Sequence, residues 1–230
     1  MKILAVIPAR GGSKGINRKN IVLLAGRPLI SYTLSCAQYA RSLDRVVVST
    51  DDLEIASVCQ HFGTEVIMRP ASLADDRSTT HSFLLHVVEK YERDGYLPDA
   101  VMTLQPTSPL RTAKHIDDAA ELFKADPLAD SLVSCVEVPH IYNPYSVMRM
   151  NSDGYMEPFL RTPQPTRRQD KEVVFARNGA AIYITRRNKL SDFVFGGRLI
   201  PYMMDKKDSV DIDSVEDLIE AEQRIQVFSM

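Results

Sequence analysis

The sequence predicts an α/β fold, a three-layer and mostly parallel sheet with helices on both faces. Three observations predict it. Short apolar, β-branched runs recur at Ile3 to Ile7, Arg45 to Thr50, Ala100 to Leu104 and Ser131 to Val138, as strands buried on both faces do. Between them lie stretches whose apolar residues are three and four apart, the spacing of amphipathic helices. Strand and helix alternate along this part of the chain, which calls for parallel pairing through right-handed crossovers.

Taken in order, the first strand stops at Pro8 and gives way to Arg10-Gly11-Gly12-Ser13-Lys14-Gly15, then Arg18-Lys19-Asn20. From Arg10 to Arg27 there are five cations and no carboxylate. Gly11, Gly12 and Gly15 let backbone N–H groups approach an anion closely. The pattern is neither a dinucleotide fingerprint nor a P-loop, both of which open directly into a helix. Here the next helical face (Leu29, Ile30, Leu34, Ala37) starts only near Pro28, a good first-turn residue. The intervening loop, residues 9–27, reads as a phosphate-holding loop or as a solvated basic one; its length favours function.

The strand Arg45 to Thr50 ends at Asp51-Asp52, an acidic cap for a helix running from Leu53 to Phe62 and closed by Gly63. Glu65 to Met68 is a third strand. Arg69-Pro70 then opens a polar loop carrying Asp75, Asp76 and Arg77 before a helix that buries Phe83, Leu84, Val87, Val88 and Tyr91. The fourth strand, Ala100 to Leu104, runs into Gln105-Pro106-Thr107-Ser108-Pro109-Leu110-Arg111, where two prolines exclude regular structure and hold the amide and hydroxyls between them. A helix from about His115 to Lys124 and a strand from Ser131 to Val138 follow. Because ligands of such sheets bind beyond the carboxyl ends of the strands, residues 9–20, 51–52, 69–82 and 105–111 are expected to share one rim.

From Pro139 to Glu172 the alternation breaks, with five prolines and the cations Arg161, Arg167 and Arg168. This excursion packs over the site or against a second subunit. Sheet texture returns at residues 180–185 and 199–204, and a terminal helix buries Val215, Leu218, Ile219 and Ile225. Residues 1–230 thus read as one domain with an excursion at about 139–172.

Asp211 and Asp213 are two apart in an expected short strand, so both carboxylates face one side. A divalent cation with oxygen ligands, Mg²⁺ for preference, relieves their repulsion. Asp213 also reads as a helix N-cap with Glu216 as its capping-box partner; Asp211 has no such role. Arg167-Arg168-Gln169 and Arg177-Asn178-Gly179 supply donors suited to a carboxylate-bearing substrate, or surface charge and an ordinary turn.

With 44% hydrophobic and 25% charged residues and a net charge of −2, the chain can bury a core and is not a general nucleic-acid binder. No stretch approaches a membrane span. Cys36, Cys59 and Cys135 lack metal spacing and read as reduced core thiols, hence a cytoplasmic compartment.

The motifs IPARGGSKG (7–15), RKN (18–20), STDD (49–52), LQPTSPLR (104–111), RRQD (167–170), NGAAIYI (178–184) and VDIDSVEDL (210–218) occur in this order nearly end to end. In them the chain resembles the acylneuraminate cytidylyltransferase family, the CMP-sialic acid synthetases. The resemblance implies a Rossmann-like nucleotidyltransferase sheet that transfers CMP from CTP, the co-substrate, to a nine-carbon α-keto acid sugar (a nonulosonic acid), releasing pyrophosphate. It implies that Arg10, Gly11, Gly12, Ser13, Lys14, Lys19 and Asn20 contact the nucleotide, with Arg10, Lys19 and Asp211 catalytic. It further implies that Asp211 and Asp213 hold Mg²⁺, that Gln105, Thr107, Arg168, Asn178 and Tyr183 face the sugar, and that the excursion builds a homodimer. Synthetases for the eight-carbon acid KDO carry Q-G-D where this chain has Gln105-Pro106-Thr107, which favours the nine-carbon branch. A non-catalytic nucleotide-sugar module would have no use for the acidic pair.

Overall fold

The computed structural model describes residues 1–13, 15–73, 79–163, 165 and 167–228, leaving out the side chains of Ala71, Arg168 and Phe228. Lys14 and the loop charges Asp75, Asp76 and Arg77 lie outside the described residues.

In chain order the elements are β1 (Ile3–Pro8), β2 (Leu23–Leu24), β3 (Arg27–Pro28), α1 (Leu29–Tyr39), β4 (Arg45–Thr50), α2 (Leu53–His61), β5 (Glu65–Met68), α3 (Thr80–Arg93) and β6 (Ala100–Thr103). They continue with α4 (Ala113–Ala125), β7 (Ser131–Glu137), β8 (Met148–Met150), β9 (Met156–Pro158), β10 (Phe175–Arg177), β11 (Tyr183–Arg186), β12 (Leu199–Met203) and α5 (Val215–Phe228).

One sheet organises them, in the order β5, β4, β1, β6, β11, β7, with β12 parallel on the outer edge of β7. β1 pairs in parallel with both β4 and β6, and β5 continues the parallel run beyond β4. β11 is reversed between β6 and β7. Ser131 pairs with both β11 and β12, and Cys135 with both β10 and β12, so β10 and β11 share one edge of β7 as a single reversed strand interrupted at residues 178–182. The chain steps outward from β1 to β4 and β5, then returns to β6 on the other side of β1. That reversal opens a crevice above the carboxyl ends of β1 and β6.

Alternation along β1 divides the core. Ile3, Ala5 and Ile7 join α1, α2 and α4 on one face through Ile30, Leu34, Ile55, Cys59, Ile116 and Phe123. Leu4 and Val6 join α3 on the other through Phe83, Leu84, Val87 and Val88. This is the three-layer arrangement expected from period-two strands and one-faced helices. A third cluster links distant parts of the chain: Ile16 from the glycine loop, Leu24, Leu29, Leu110, Val210, Ile212 and Ala221 of α5 pack together.

Three local expectations are corrected, the first being the buried face of α5, which packs through Leu218, Ala221 and Ile225 and leaves Val215 and Ile219 more than half exposed. Residues 209–214 form no strand; Ile212 instead donates its N–H to the Thr107 carbonyl at 2.9 Å, an isolated tie to a loop that has no strand to pair with. The cap of α5 is Ser214, not Asp213. Ser214 Oγ accepts from Asp217 N at 3.2 Å and the Asp217 carboxylate accepts from Ser214 N at 2.8 Å, a reciprocal box one residue later than expected. Asp213 is thereby released from capping. The connection from β1 to α1 also carries structure of its own, a 3-10 turn at Lys19–Ile21 and the small hairpin of β2 and β3.

Asp52 caps α2, its carboxylate accepting from Ile55 N at 2.9 Å, and Thr112 caps α4 in a box completed by His115. His115 Nδ1 accepts from Thr112 N at 3.2 Å, so the box needs that nitrogen unprotonated. Burial lowers the His115 pKa from the ordinary 6.5, with Arg111 and Lys114 adding to the shift and Asp208 and Asp118 opposing it. A histidine held neutral by folding favours the unfolded state once protonated. Stability is therefore expected to be full above the ordinary histidine pKa and to fall as pH drops through and below it, levelling off under the folded value. Thermal melts from about pH 7.5 to 5 should show this acid-side loss diminished in His115→Gln; an identical loss in the variant would assign it to other groups.

Candidate active site

At the crevice lies a cleft of about 500 Å³, within the size range of small-molecule sites. Its lining brings together Arg10, Gly12, Ser13, Gly15, Lys19 and Asn20 from the first loop, Arg69, Thr80 and Phe83 around β5 and α3, Gln105 and Thr107 after β6, and Gly179, Asp211 and Asp213. Three of the four expected rim segments meet there. The fourth, Asp51-Asp52, braces the loop from behind. Asp51 accepts from Gly11 N at 3.1 Å, and Arg18 donates to Asp52 at 3.0 Å. Gly11's N–H is thus engaged within the chain, and a Cβ on Gly11 would stand 2.7 Å from the Asp52 carboxylate. Asn20, nearly buried, donates from Nδ2 to the Arg10 carbonyl at 2.9 Å and closes the loop across its base.

The amino-terminal loop and the carboxyl-terminal acidic pair touch. Lys19 Nζ donates to Asp213 Oδ1 at 2.9 Å and to the Ile212 carbonyl at 3.0 Å. A Cβ on Gly15 would lie 2.2 Å from the Asp213 carbonyl oxygen, so only glycine permits that approach. The two carboxylates differ in environment. The Asp213 side chain is 78% exposed. Asp211 is half-buried, its pKa raised by desolvation and by the neighbouring Asp213 charge, with a hydrogen bond from Thr107 and the Lys19 charge acting in the opposite direction. Beneath Asp211 lies Gly179 at φ +70°, where a Cβ would fall 2.1 Å from the carboxylate.

Arg69 adds to the cleft a side chain that the motifs did not imply. It is buried at the carboxyl end of β5, its guanidinium 4.6 Å from the Phe83 ring centroid and donating to the Ser49 carbonyl at 2.5 Å. Desolvation, with Arg10 adding to it and Asp51 opposing, brings its pKa down to about 10. Arg69 therefore joins Arg10 and Lys19 as a cation bearing on one cleft. The available signal was the strand-end rule itself, applied to Arg69 as it was to Gln105.

Two expected sugar contacts turn inward. Asn178 is buried and donates from Nδ2 to Ser209 Oγ at 2.9 Å and to Met204 Sδ at 3.3 Å, so it ties the turn at 178–180 to the segment leading into Asp211. Tyr183 is buried with its ring against Phe195, and its hydroxyl accepts from Arg177 at 3.1 Å. Neither lines the cleft. Arg167 pairs with Asp170 at 2.8 Å, and Arg168 lies in a 3-10 turn at Arg168–Asp170. Among the described residues no cluster of three or more His, Cys, Asp or Glu forms a metal cage. The three cysteines are buried and unbridged, and burial pushes the Cys59 thiol up to about 12, which suits core packing and not nucleophilic attack.

Comparison with known proteins accords with this geometry. A family model described as cytidylyltransferase matches residues 4–226. The N-acylneuraminate cytidylyltransferase of Escherichia coli O18:K1:H7 is 31% identical over 213 residues, 92% of this chain and 49% of that protein. The chain thus spans about half the length of the N-acylneuraminate cytidylyltransferases it matches. The pseudaminic acid cytidylyltransferase of Campylobacter jejuni serotype O:2 is 31% identical over 220 residues, 95% of this chain and 94% of that protein. Among solved structures, a CMP:2-keto-3-deoxy-manno-octonic acid synthetase complexed with CTP has a TM-score of 0.74 at 19% identity, covering 100% of both chains, a likeness of fold. A match that begins in β1 and ends in α5 takes in every segment of the cleft, and on it this chain belongs to the cytidylyltransferase family.

Proposed function

We propose that this chain transfers CMP from CTP to the anomeric hydroxyl of a nine-carbon α-keto acid sugar. A bond forms between that oxygen and the α-phosphorus, the bond to the β-phosphate bridging oxygen breaks, pyrophosphate leaves, and the hydroxyl proton is lost. One observation carries the reading: the cationic glycine loop and the acidic pair meet in a single cleft, Lys19 Nζ standing 2.9 Å from Asp213. Relatives named for transfer to N-acylneuraminate and pseudaminic acid support the substrate class.

In this reading Arg10, Lys19 and the loop around Ser13 receive the triphosphate and spread its charge over fixed donors, which is most of what such a transfer requires. Lys14 belongs to the same loop by its motif. Gln105 and Thr107 face the sugar and Arg168 is assigned to it by its motif alone, while Asn178 and Tyr183 support the walls behind them. Asp211 and Asp213 suit Mg²⁺, which takes one or two carboxylates and completes its shell with phosphate oxygens and water. The fit is chemical: both are oxygen donors, and Asp211 is a carboxylate kept half-buried against the cost of its own desolvation. When bound, the ion supplies positive charge to the phosphate oxygens.

We further propose a homodimer, supported by the apolar exposure of the excursion. Ile141, Tyr142, Met150, Tyr155, Met156 and Phe159 are all more than half exposed around the β8–β9 hairpin, more than scattered surface hydrophobes would present. Three buried free thiols support a reducing, cytoplasmic setting. In this reading residues 1–230 act as one catalytic unit.

The test is pyrophosphate release from CTP and Mg²⁺ with a panel of nonulosonic acids and KDO. Release with at least one nonulosonic acid and little with KDO is expected; CTP binding without release from any sugar would sink the transferase reading. Lys19→Ala is expected to cost about 1.5 to 3 kcal/mol in kcat/KM for CTP, the range for a hydrogen bond to a charged group. Unchanged CTP kinetics would remove Lys19 from the site. Light scattering should give a dimer.

A further inference from the structure

Arg111 is an unusual residue to find buried in a core. It is 2% exposed, and among the described residues it has no salt bridge to a carboxylate. Burying an arginine without a counterion is costly, and an apolar residue of similar volume generally replaces such a group without loss. Its partners explain what an apolar residue would not do. Nη1 donates to the Gln105 carbonyl at 3.1 Å and the Ala181 carbonyl at 2.6 Å; Nη2 donates to Thr33 Oγ1 on α1 at 2.6 Å. One planar group therefore ties the loop after β6 to the turn that precedes β11, and anchors both on a helix behind the sheet.

Those two tied segments form the walls on either side of Asp211. Thr107, two residues after Gln105, sets its side chain beside the Asp211 carboxylate, and its carbonyl accepts from Ile212 N at 2.9 Å. Gly179, two residues before Ala181, lies under the same carboxylate with no room for a methyl group, in a turn where Gly179 and Ala180 both have positive φ (70° and 59°). Gln105 N also donates to the Ala180 carbonyl, at 3.3 Å, a direct tie between the walls.

We propose that Arg111 is a positioning residue: by holding the Gln105 and Ala181 carbonyls together it sets the width of the slot between Thr107 and Gly179, and so the place of the Asp211 carboxylate in the cleft. It touches no substrate. Lysine keeps the charge but has no planar fork to span three acceptors.

The inference rests on the proposed CTP and Mg²⁺ chemistry, and the experiment separates the two. CTP is titrated calorimetrically into wild type, Arg111→Lys and Thr33→Val, once with Mg²⁺ and once with EDTA. Thr33→Val removes the tie to α1 and leaves the two carbonyl ties, so it controls for lost stability. Arg111→Lys is expected to lose about tenfold in CTP affinity with Mg²⁺ and less than about twofold in EDTA, as a displaced charge contact would. Thr33→Val is expected to lower Tm and to leave both affinities at wild type.

A folded Arg111→Lys with the wild-type Mg²⁺ effect overturns the proposal, as does an equal loss in Thr33→Val. Should Arg111→Lys not fold, Arg111→Gln, with two amide donors and no charge, takes its place under the same criteria. Failure of both to fold makes Arg111 a residue of the fold and also overturns it. A wild-type protein that binds CTP equally in EDTA removes the role assigned to Asp211 while the CTP reading stands. One that does not bind CTP at all sinks the proposed function and this inference with it.

Discussion

Asp211→Asn is expected to lower turnover by roughly three orders of magnitude or more while raising thermal stability. The first effect follows because charge stabilisation at the α-phosphate and the departing pyrophosphate is worth several kcal/mol, and each ~1.4 kcal/mol is tenfold in rate. The second follows from the burial of Asp211, which raises its pKa. Folding then disfavours the charged form at neutral pH, and a neutral isostere removes that cost. Activity and stability should move in opposite directions, the mark of a residue retained for chemistry. Steady-state pyrophosphate release paired with a thermal melt checks both. A variant that is destabilised yet keeps more than about a tenth of wild-type turnover would make Asp211 structural.

Gly15→Ala is expected to reduce kcat/KM for CTP by about a hundredfold, because small misplacements of a binding group cost on that scale. The new methyl carbon would stand 2.2 Å from the Asp213 carbonyl oxygen, a backbone atom with no rotamer to yield. Either the glycine loop retreats or the segment carrying both carboxylates does, and each movement parts Lys19 from Asp213. Overpacking should also cost about 1 to 3 kcal/mol of stability. Near-normal CTP kinetics in a folded Gly15→Ala would show that the contact is not needed for nucleotide binding.

How far these features were legible in the sequence depends on their range. Ile3–Pro8 and Arg45–Thr50 were readable because a strand buried on both faces carries its own signal in consecutive side chains. The capping role of Asp52 was readable because donor and acceptor lie three residues apart. The same locality misled at residues 211–213, where an alternating D-I-D looked like a strand. No neighbouring strand was there to pair with, and Ile212 bonds to a loop. With Ser and Asp three apart as well, Ser214 and Asp217 took the cap expected of Asp213 and Glu216. Asn178 and Tyr183 bear groups suited to a sugar, but donor chemistry does not say which way a side chain faces, and both are buried against internal partners.

By itself the amino-acid order determined the three-layer α/β architecture, the concentration of positive charge after β1, and the family. Periodicity, caps and motifs are properties of neighbours along the chain. Only the tertiary structure decided that Lys19 and Asp213, 194 positions apart, would meet at 2.9 Å. That encounter depends on Ile16 packing against Val210 and Ile212, and on α5 folding over Leu24 and Leu29. Apolar side chains of this kind carry no address for their partners; shape and the exclusion of water choose among them once the sheet has formed.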